Sequence, residues 1–182
     1  MNETLNVIAK RYSCRDFTDI LPSKEQLQAI ANAAIASPSA NNSQRWKIIV
    51  VTNKTLIGEL EAEGMKAISE LPDKGIYNSL QSRGGTLFYH ATCIIFIAIV
   101  PGSDLDCGIV SENIAIASES LGLGSCICGL ARFALSESKS AYFKEKLGFP
   151  EGCEFGMSVL IGNAKTPREP HIPDTSKIGF VE

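Results

Sequence analysis

Arg11–Arg15 reads RYSCR, and the alternation inside this stretch decides how the rest of the chain is read. In an extended segment, successive side chains point to opposite sides. Arg11, Ser13 and Arg15 therefore share one side, and Tyr12 and Cys14 the other. Two forked cations and a hydroxyl make a clamp suited to a phosphate or a carboxylate. Two solvated arginines beside a turn serine is the plainer reading of the same residues. The next polar stretch, Ser37–Trp46, reads SPSANNSQRW. So many amides and hydroxyls over Ser37–Gln44 make either a turn or the rim of a ligand site.

Outward from these two stretches, the spacing of apolar residues predicts the elements. Leu5, Ile8 and Ala9 give a short helix over Thr4–Lys10 that runs into the clamp, and Phe17 and Thr18 prolong the extended piece. Ser23 and Gln26 form a capping-box pattern, so a helix is expected over Lys24–Ala36, ended by Pro38. Trp46–Thr52 reads as a strand closed by Asn53. Leu56–Leu71 reads as an amphipathic helix. Pro72–Gly85, with three glycines, reads as a mobile loop. Leu87–Tyr89 suggests a helical turn. Thr92–Val100 is the most hydrophobic stretch and reads as a central strand. Asp106–Leu121 predicts a helix apolar on most sides, which belongs in a core or at a subunit interface. Gly122 stops it. Ser138–Leu147 predicts a charged surface helix and Glu154–Ile161 a third strand. From Gly162 onward apolar residues thin out while Pro167, Pro170 and Pro173 follow Pro150, so this tail cannot build a core of its own.

Composition removes several classes. The chain of 182 residues is long enough for one compact domain, expected over 1–182 with an extended tail at 163–182. A net charge of −3 argues for neither nucleic acid nor an anionic membrane surface. The longest apolar run, Ala91–Val100, is too short to span a bilayer as a helix. No stretch has the pattern of a signal peptide, so a cytoplasmic location is expected. The six cysteines then read as reduced, buried thiols. Cys126 and Cys128 form C-x-C, which lacks the usual zinc or redox spacing. With only His90 and His171, and no H-E-x-x-H, G-x-S-x-G or G-K-[ST], histidine-based acid–base or metal chemistry is poorly supported. Gly124–Gly129 is not G-x-G-x-x-G and follows a helix, so a dinucleotide fingerprint is rejected.

Arg11-x-Ser13-x-Arg15-x-Phe17 and Pro38-Ser39-x-x-Asn42-x-Gln44-x-Trp46 together resemble the amino-terminal signature of the nitroreductase-type flavoproteins. Two further pieces match in order and spacing: a buried helix ending in Gly122-Leu123-Gly124-Ser125-Cys126, and a strand closing at Ile161-Gly162. The resemblance implies an α+β fold with an antiparallel or mixed central sheet flanked by helices. It also implies an obligate homodimer with exchanged carboxy-terminal tails and one FMN in each of two interface sites. By position, Arg11, Ser13 and Arg15 would hold the FMN phosphate and ribityl end or the polar ring edge. Pro38, Ser39 and Asn42 would reach the flavin from the other subunit. Cys128 and Gly129 would line the isoalloxazine, where the family offers a backbone N–H to N5. Lys165 and Arg168 would be the carboxy-terminal basic pair at the phosphate. Arg45 stands where the family commonly has Pro, Asn41 where Gly is frequent, and Ile127 where an aromatic is often found. The short Val100–Asp106 join leaves no room for the lid helices of larger members. These departures bear on substrate preference.

The activity this implies is an FMN-dependent oxidoreductase with NADH or NADPH as donor. Nitroaromatics or quinones would be the small-molecule acceptors, in a ping-pong cycle. No side chain is expected to be catalytic, because the cofactor carries the chemistry. That agrees with the shortage of histidine. A non-catalytic flavin-binding or sensing protein is the alternative from another class. A specialised chemistry, such as flavin destruction or reductive dehalogenation, is a third reading that nothing in the sequence selects.

Overall fold

A computed structural model describes residues 2–136, 138–166 and 168–182; Pro167, one of the tail prolines, lies outside them. Helix α1 is Glu3–Lys10, capped by the Asn2 side chain. Helix α2 is Lys24–Ile35 and starts with the expected capping box between Ser23 and Gln26. Strand β1 is Trp46–Val51, and α3 is Lys54–Glu70 with Asn53 as its cap. Next come α4, Gly75–Gln81, strand β2, Cys93–Ile99, and α5, Asp104–Ser120. Strand β3 is Gly124–Cys128, followed by the short α6, Arg132–Leu135, and α7, Ser140–Leu147. Strand β4, Glu154–Gly162, closes the sheet.

The sheet runs β1-β2-β4-β3, with every neighbouring pair antiparallel. β2 is buried along its whole length, as a central strand covered on both faces must be. Its alternation divides the core in two. Cys93, Ile95, Ile97 and Ile99 pack with Ile30 and Ala34 of α2 and with Val110 and Ile114 of α5. Ile94 and Phe96 face the other way, toward Leu60 and Ile68 of α3, Ala134 of α6 and Phe143 of α7. The β2–β4 register shifts between Ile97 and Ala98, leaving Gly156 as the extra residue of a bulge. A side chain there would meet Cys107 Sγ at 2.7 Å and Ile99 Cγ2 at 2.9 Å, so the bulge sits tight against α5.

The structure departs from the sequence expectations in three places. Pro72–Gly85 was expected as a mobile loop, but Gly75–Gln81 is helical because Ile76, Tyr77 and Leu80 share a face that packs on the core. Asp73 starts that helix by accepting the Gly75 N–H at 2.8 Å. Leu87–Tyr89 forms no helical turn, and Tyr89 (φ 52°) and His90 (φ 66°) are both left-handed. Gly124–Cys128 was not foreseen as a strand, yet it is the fourth of the sheet. Gly122 does end α5: at φ 72° it lets the Leu123 N–H reach the Ser118 carbonyl at 2.9 Å. The tail is exposed almost throughout, with Ile172 94% and Phe180 88% accessible. Among the described residues no helix is long and apolar enough to cross a membrane.

Candidate flavin site

Residues 11–18 form an extended strap along the β3 edge and the end of β4. Ser13 makes a parallel bridge with Ser125, and the Cys14 N–H donates to the Ser125 carbonyl at 2.8 Å. Phe17 makes an antiparallel bridge with Ala164, and the Thr18 N–H donates to Asn163 O at 2.8 Å. Cys14 points inward and is fully buried. It lies so close to Gly124 that a Cβ there would stand 3.0 Å from its Sγ. This close approach fixes which side of the strap faces out. Arg11, Ser13 and Arg15 are all at least partly exposed, as the alternation requires. The period breaks at Asp16, whose carbonyl accepts the Lys165 N–H at 2.9 Å and whose carboxylate accepts the Thr166 hydroxyl at 2.8 Å. Phe17 consequently turns inward beside Gly162.

The electrostatics tie most of the predicted residues to one place. Burial pushes the Cys126 thiol up to about 11, against the pull of Arg15 and Arg11. Burial also raises Cys128, opposed by the Leu130 N–H and by Arg15. Tyr12 is raised chiefly by burial and by Cys14, while a backbone hydrogen bond from Arg168 acts the other way. Arg11, Ser13, Arg15, Cys128 and Arg168 thus gather round the strap and β3. Gly129 follows directly, and a Cβ on it would meet only Met157 Sδ, at 3.7 Å. That leaves room for a flat ring along this backbone. Arg11 Nε lies 3.3 Å from Glu112 Oε1 on α5, a partner that sequence reading missed. An anion entering the clamp competes with this carboxylate.

Lys165 is tied to the strap next to Arg15, through its N–H to the Asp16 carbonyl, and also lines a cleft beside α3 with Phe17 and His90. Pro38, Ser39 and Asn42 precede β1, at the opposite edge of the sheet and the opposite end of its strands. β2 alone spans seven residues, roughly 20 Å, while α5 touches both places, Glu112 meeting Arg11 and its neighbour Asn113 meeting Ser37. Within the loop, Ser39 Oγ accepts the Gln44 N–H at 2.9 Å and Asn42 Oδ1 accepts from Gln44 Nε2 at 3.0 Å. Asn41, Asn42 and Gln44 all have positive φ, so these side chains do brace a tight turn. Asn113 Nδ2 donates to Ser37 Oγ at 2.9 Å and pins the start of the loop to α5. Among the described residues no group of three or more His, Cys, Asp or Glu could hold a metal ion.

Known proteins share this fold. A crystal structure of a nitroreductase with bound FMN from Desulfitobacterium hafniense DCB-2 superposes with a TM-score of 0.98 at 50% identity, covering 100% of both chains. An FMN-dependent nitroreductase from Clostridium difficile superposes with a TM-score of 0.83 at 26% identity, over 99% of each chain. An NADPH-flavin oxidoreductase of Vibrio harveyi is 27% identical over 176 residues, which is 95% of this chain and 71% of that protein. The model of the nitroreductase family matches residues 8–162. The chain belongs to the nitroreductase family.

Proposed function

We propose that the protein is an FMN-dependent oxidoreductase that takes reducing equivalents from NADH or NADPH and reduces small acceptors such as nitroaromatics or quinones. When bound, FMN supplies the redox chemistry, accepting hydride and passing it on. The chain's own residues bind, orient and neutralise. Arg11, Arg15 and Arg168 put positive charge where a phosphate would sit, and Ser13 adds a hydroxyl between the two strap arginines. Cys128 and Gly129 offer backbone beside the ring position. Burial keeps the Cys126 and Cys128 thiols protonated, so they act as apolar packing. Donor and acceptor take turns at one open face, which makes the kinetics ping-pong.

The site is shared between two copies of the chain. The 38–44 loop lies at the other edge and other end of the sheet from the β3 strap, which supports this reading, with a second chain bringing its Pro38, Ser39 and Asn42 to the clamp. The exposed tail and the apolar, partly uncovered side of α5, with Leu105 81% accessible, supply surface for such an assembly. An interface that includes both would bury more than about 2,000 Å², the range of obligate dimers.

The observation that carries the proposal is the strap, two guanidiniums and a hydroxyl held outward by β3. The test is the absorbance of the purified protein, followed by anaerobic addition of NADH and NADPH. A flavin spectrum that bleaches and recovers on adding a nitroaromatic or quinone is expected. A colourless protein that cannot be reconstituted with FMN would sink the proposal. Bound FMN that neither nucleotide bleaches would favour a flavin-binding protein without turnover.

A further inference from the structure

The chain does not leave β4 freely; the start of the tail runs back along the strap. Phe17 bridges Ala164, and the Thr18 N–H donates to Asn163 O at 2.8 Å. The Lys165 N–H donates to the Asp16 carbonyl at 2.9 Å. The Thr166 hydroxyl donates to Asp16 Oδ2 at 2.8 Å, across 150 positions of sequence. The Arg168 N–H donates to the Tyr12 phenol oxygen. As the tail advances from Asn163 to Arg168, its partners on the strap step back from Thr18 to Tyr12.

Two of these anchors are side chains, Asp16 and Tyr12. Among the described residues Asp16 makes no ion pair, and its carboxylate goes to the Thr166 hydroxyl instead. The two anchors are joined on the inward side of the strap. The Tyr12 hydroxyl donates to Cys14 Sγ, and the Cys14 thiol donates to the Asp16 carbonyl at 3.3 Å. Burial pushes the Cys14 thiol up, and the Arg168 charge is among the pulls that oppose it. The Arg168 guanidinium therefore stands beside the strap that presents Arg11 and Arg15. From His171 onward the tail is exposed, so the hold on Arg168 comes from the strap side.

We propose that Tyr12 and the Asp16–Thr166 pair are positioning residues for a flavin phosphate. They staple the tail so that Arg168 completes the clamp of its own chain, and they act on the phosphate only through that cation. The inference rests on the flavin reading above. A tail freed from these anchors leaves Arg168 solvated, and apparent affinity falls with the fraction of chains in which the cation is in place. Only a ligand that carries the phosphate registers this loss.

Tyr12→Phe and Thr166→Val remove the two hydroxyls and keep the shapes, so the packing of the Tyr12 ring against the core is retained. Apo-protein is titrated with FMN and with riboflavin, which has the same ring and ribityl chain but no phosphate. The double variant should bind FMN roughly three- to tenfold more weakly, the range for losing exposed hydrogen bonds of this kind. Riboflavin should bind it as it binds wild type. On an Arg168→Ala background the same two substitutions should change FMN affinity by less than about twofold, because the cation they position is gone. Equal weakening of FMN and riboflavin would show a general structural role and overturn the proposal. Undiminished FMN affinity, or the full loss repeated without Arg168, would overturn it too. Wild-type protein that fails to bind FMN would strike the flavin reading itself, and this inference with it.

Discussion

Gly162→Ala is the substitution that probes how the strap is held. Gly162 is the last residue of β4, and a methyl there would stand 2.9 Å from Phe17 Cδ1, 3.4 Å from Cγ and 3.5 Å from Cβ. Phe17 is 3% accessible and lines the α3 cleft, so a methyl at Gly162 must either push the ring toward that cleft or lift the strap. Overpacking of this kind costs about 1–3 kcal/mol. Some of that strain is relieved by lifting the strap, which carries Arg15 and Ser13 with it. Phe17→Leu removes the clashing ring edge and costs about 1–2 kcal/mol on its own. The double variant should therefore be more stable than the sum of the two predicts, by about 1 kcal/mol of coupling. Urea midpoints at fixed protein and FMN concentrations, with unchanged slopes, measure this directly. FMN affinity should fall in Gly162→Ala and recover in part in the double variant. Additivity within about 0.5 kcal/mol, or a neutral Gly162→Ala, would refute the claim that this contact sets the strap.

Three further outcomes are expected. Arg15→Ala should weaken FMN by about 1.5–3 kcal/mol, the worth of a charge-assisted hydrogen bond, read by titrating apo-protein. Arg11→Ala and Asn42→Ala, each weak for FMN as homodimers, should form mixed dimers that recover one good site in two, counted by flavin absorbance after mixing and reannealing. Burial raises the Cys93 thiol from 9.0 to about 12, so above about pH 9 the unfolded chain loses this proton while the native state keeps it. Stability should then fall as pH rises from about 9 toward 12, by up to about 1.4 kcal/mol per pH unit for this thiol, and the fall should be shallower in Cys93→Ala.

Much of this was legible because it rests on local periodicity. The Arg-Ser-Arg face, the Ser23 capping box and the fully apolar β2 are each dictated by side-chain spacing within one element. β3 was not legible because GSCIC has one β-branched residue and owes its strand to pairing with Ser158–Gly162 across the sheet. α4 was hidden by glycines that flank three core-facing residues. Lys165 and Arg168 look like a pair in sequence, but Asp16 fixes the backbone between them, and Lys165 faces the α3 cleft while Arg168 lies beside Tyr12. Glu112 carries no local mark at all; only the packing of α1 on α5 sets it against Arg11. The opposite placement of the two signature motifs follows from strand order, which no window of sequence contains.

The strap joins residue 13 to residue 125 and residue 17 to residue 164, the longest closures in the sheet. Long closures form late, since their chain entropy is lost before their contacts return anything. During synthesis the arginines emerge first, yet the strands that aim them emerge last. A chain truncated before β4 would carry every strap residue and still lack the clamp. Cofactor capture is thus coupled to completion of the polypeptide, and a ribosome-bound fragment displays loose cations in place of a finished phosphate site.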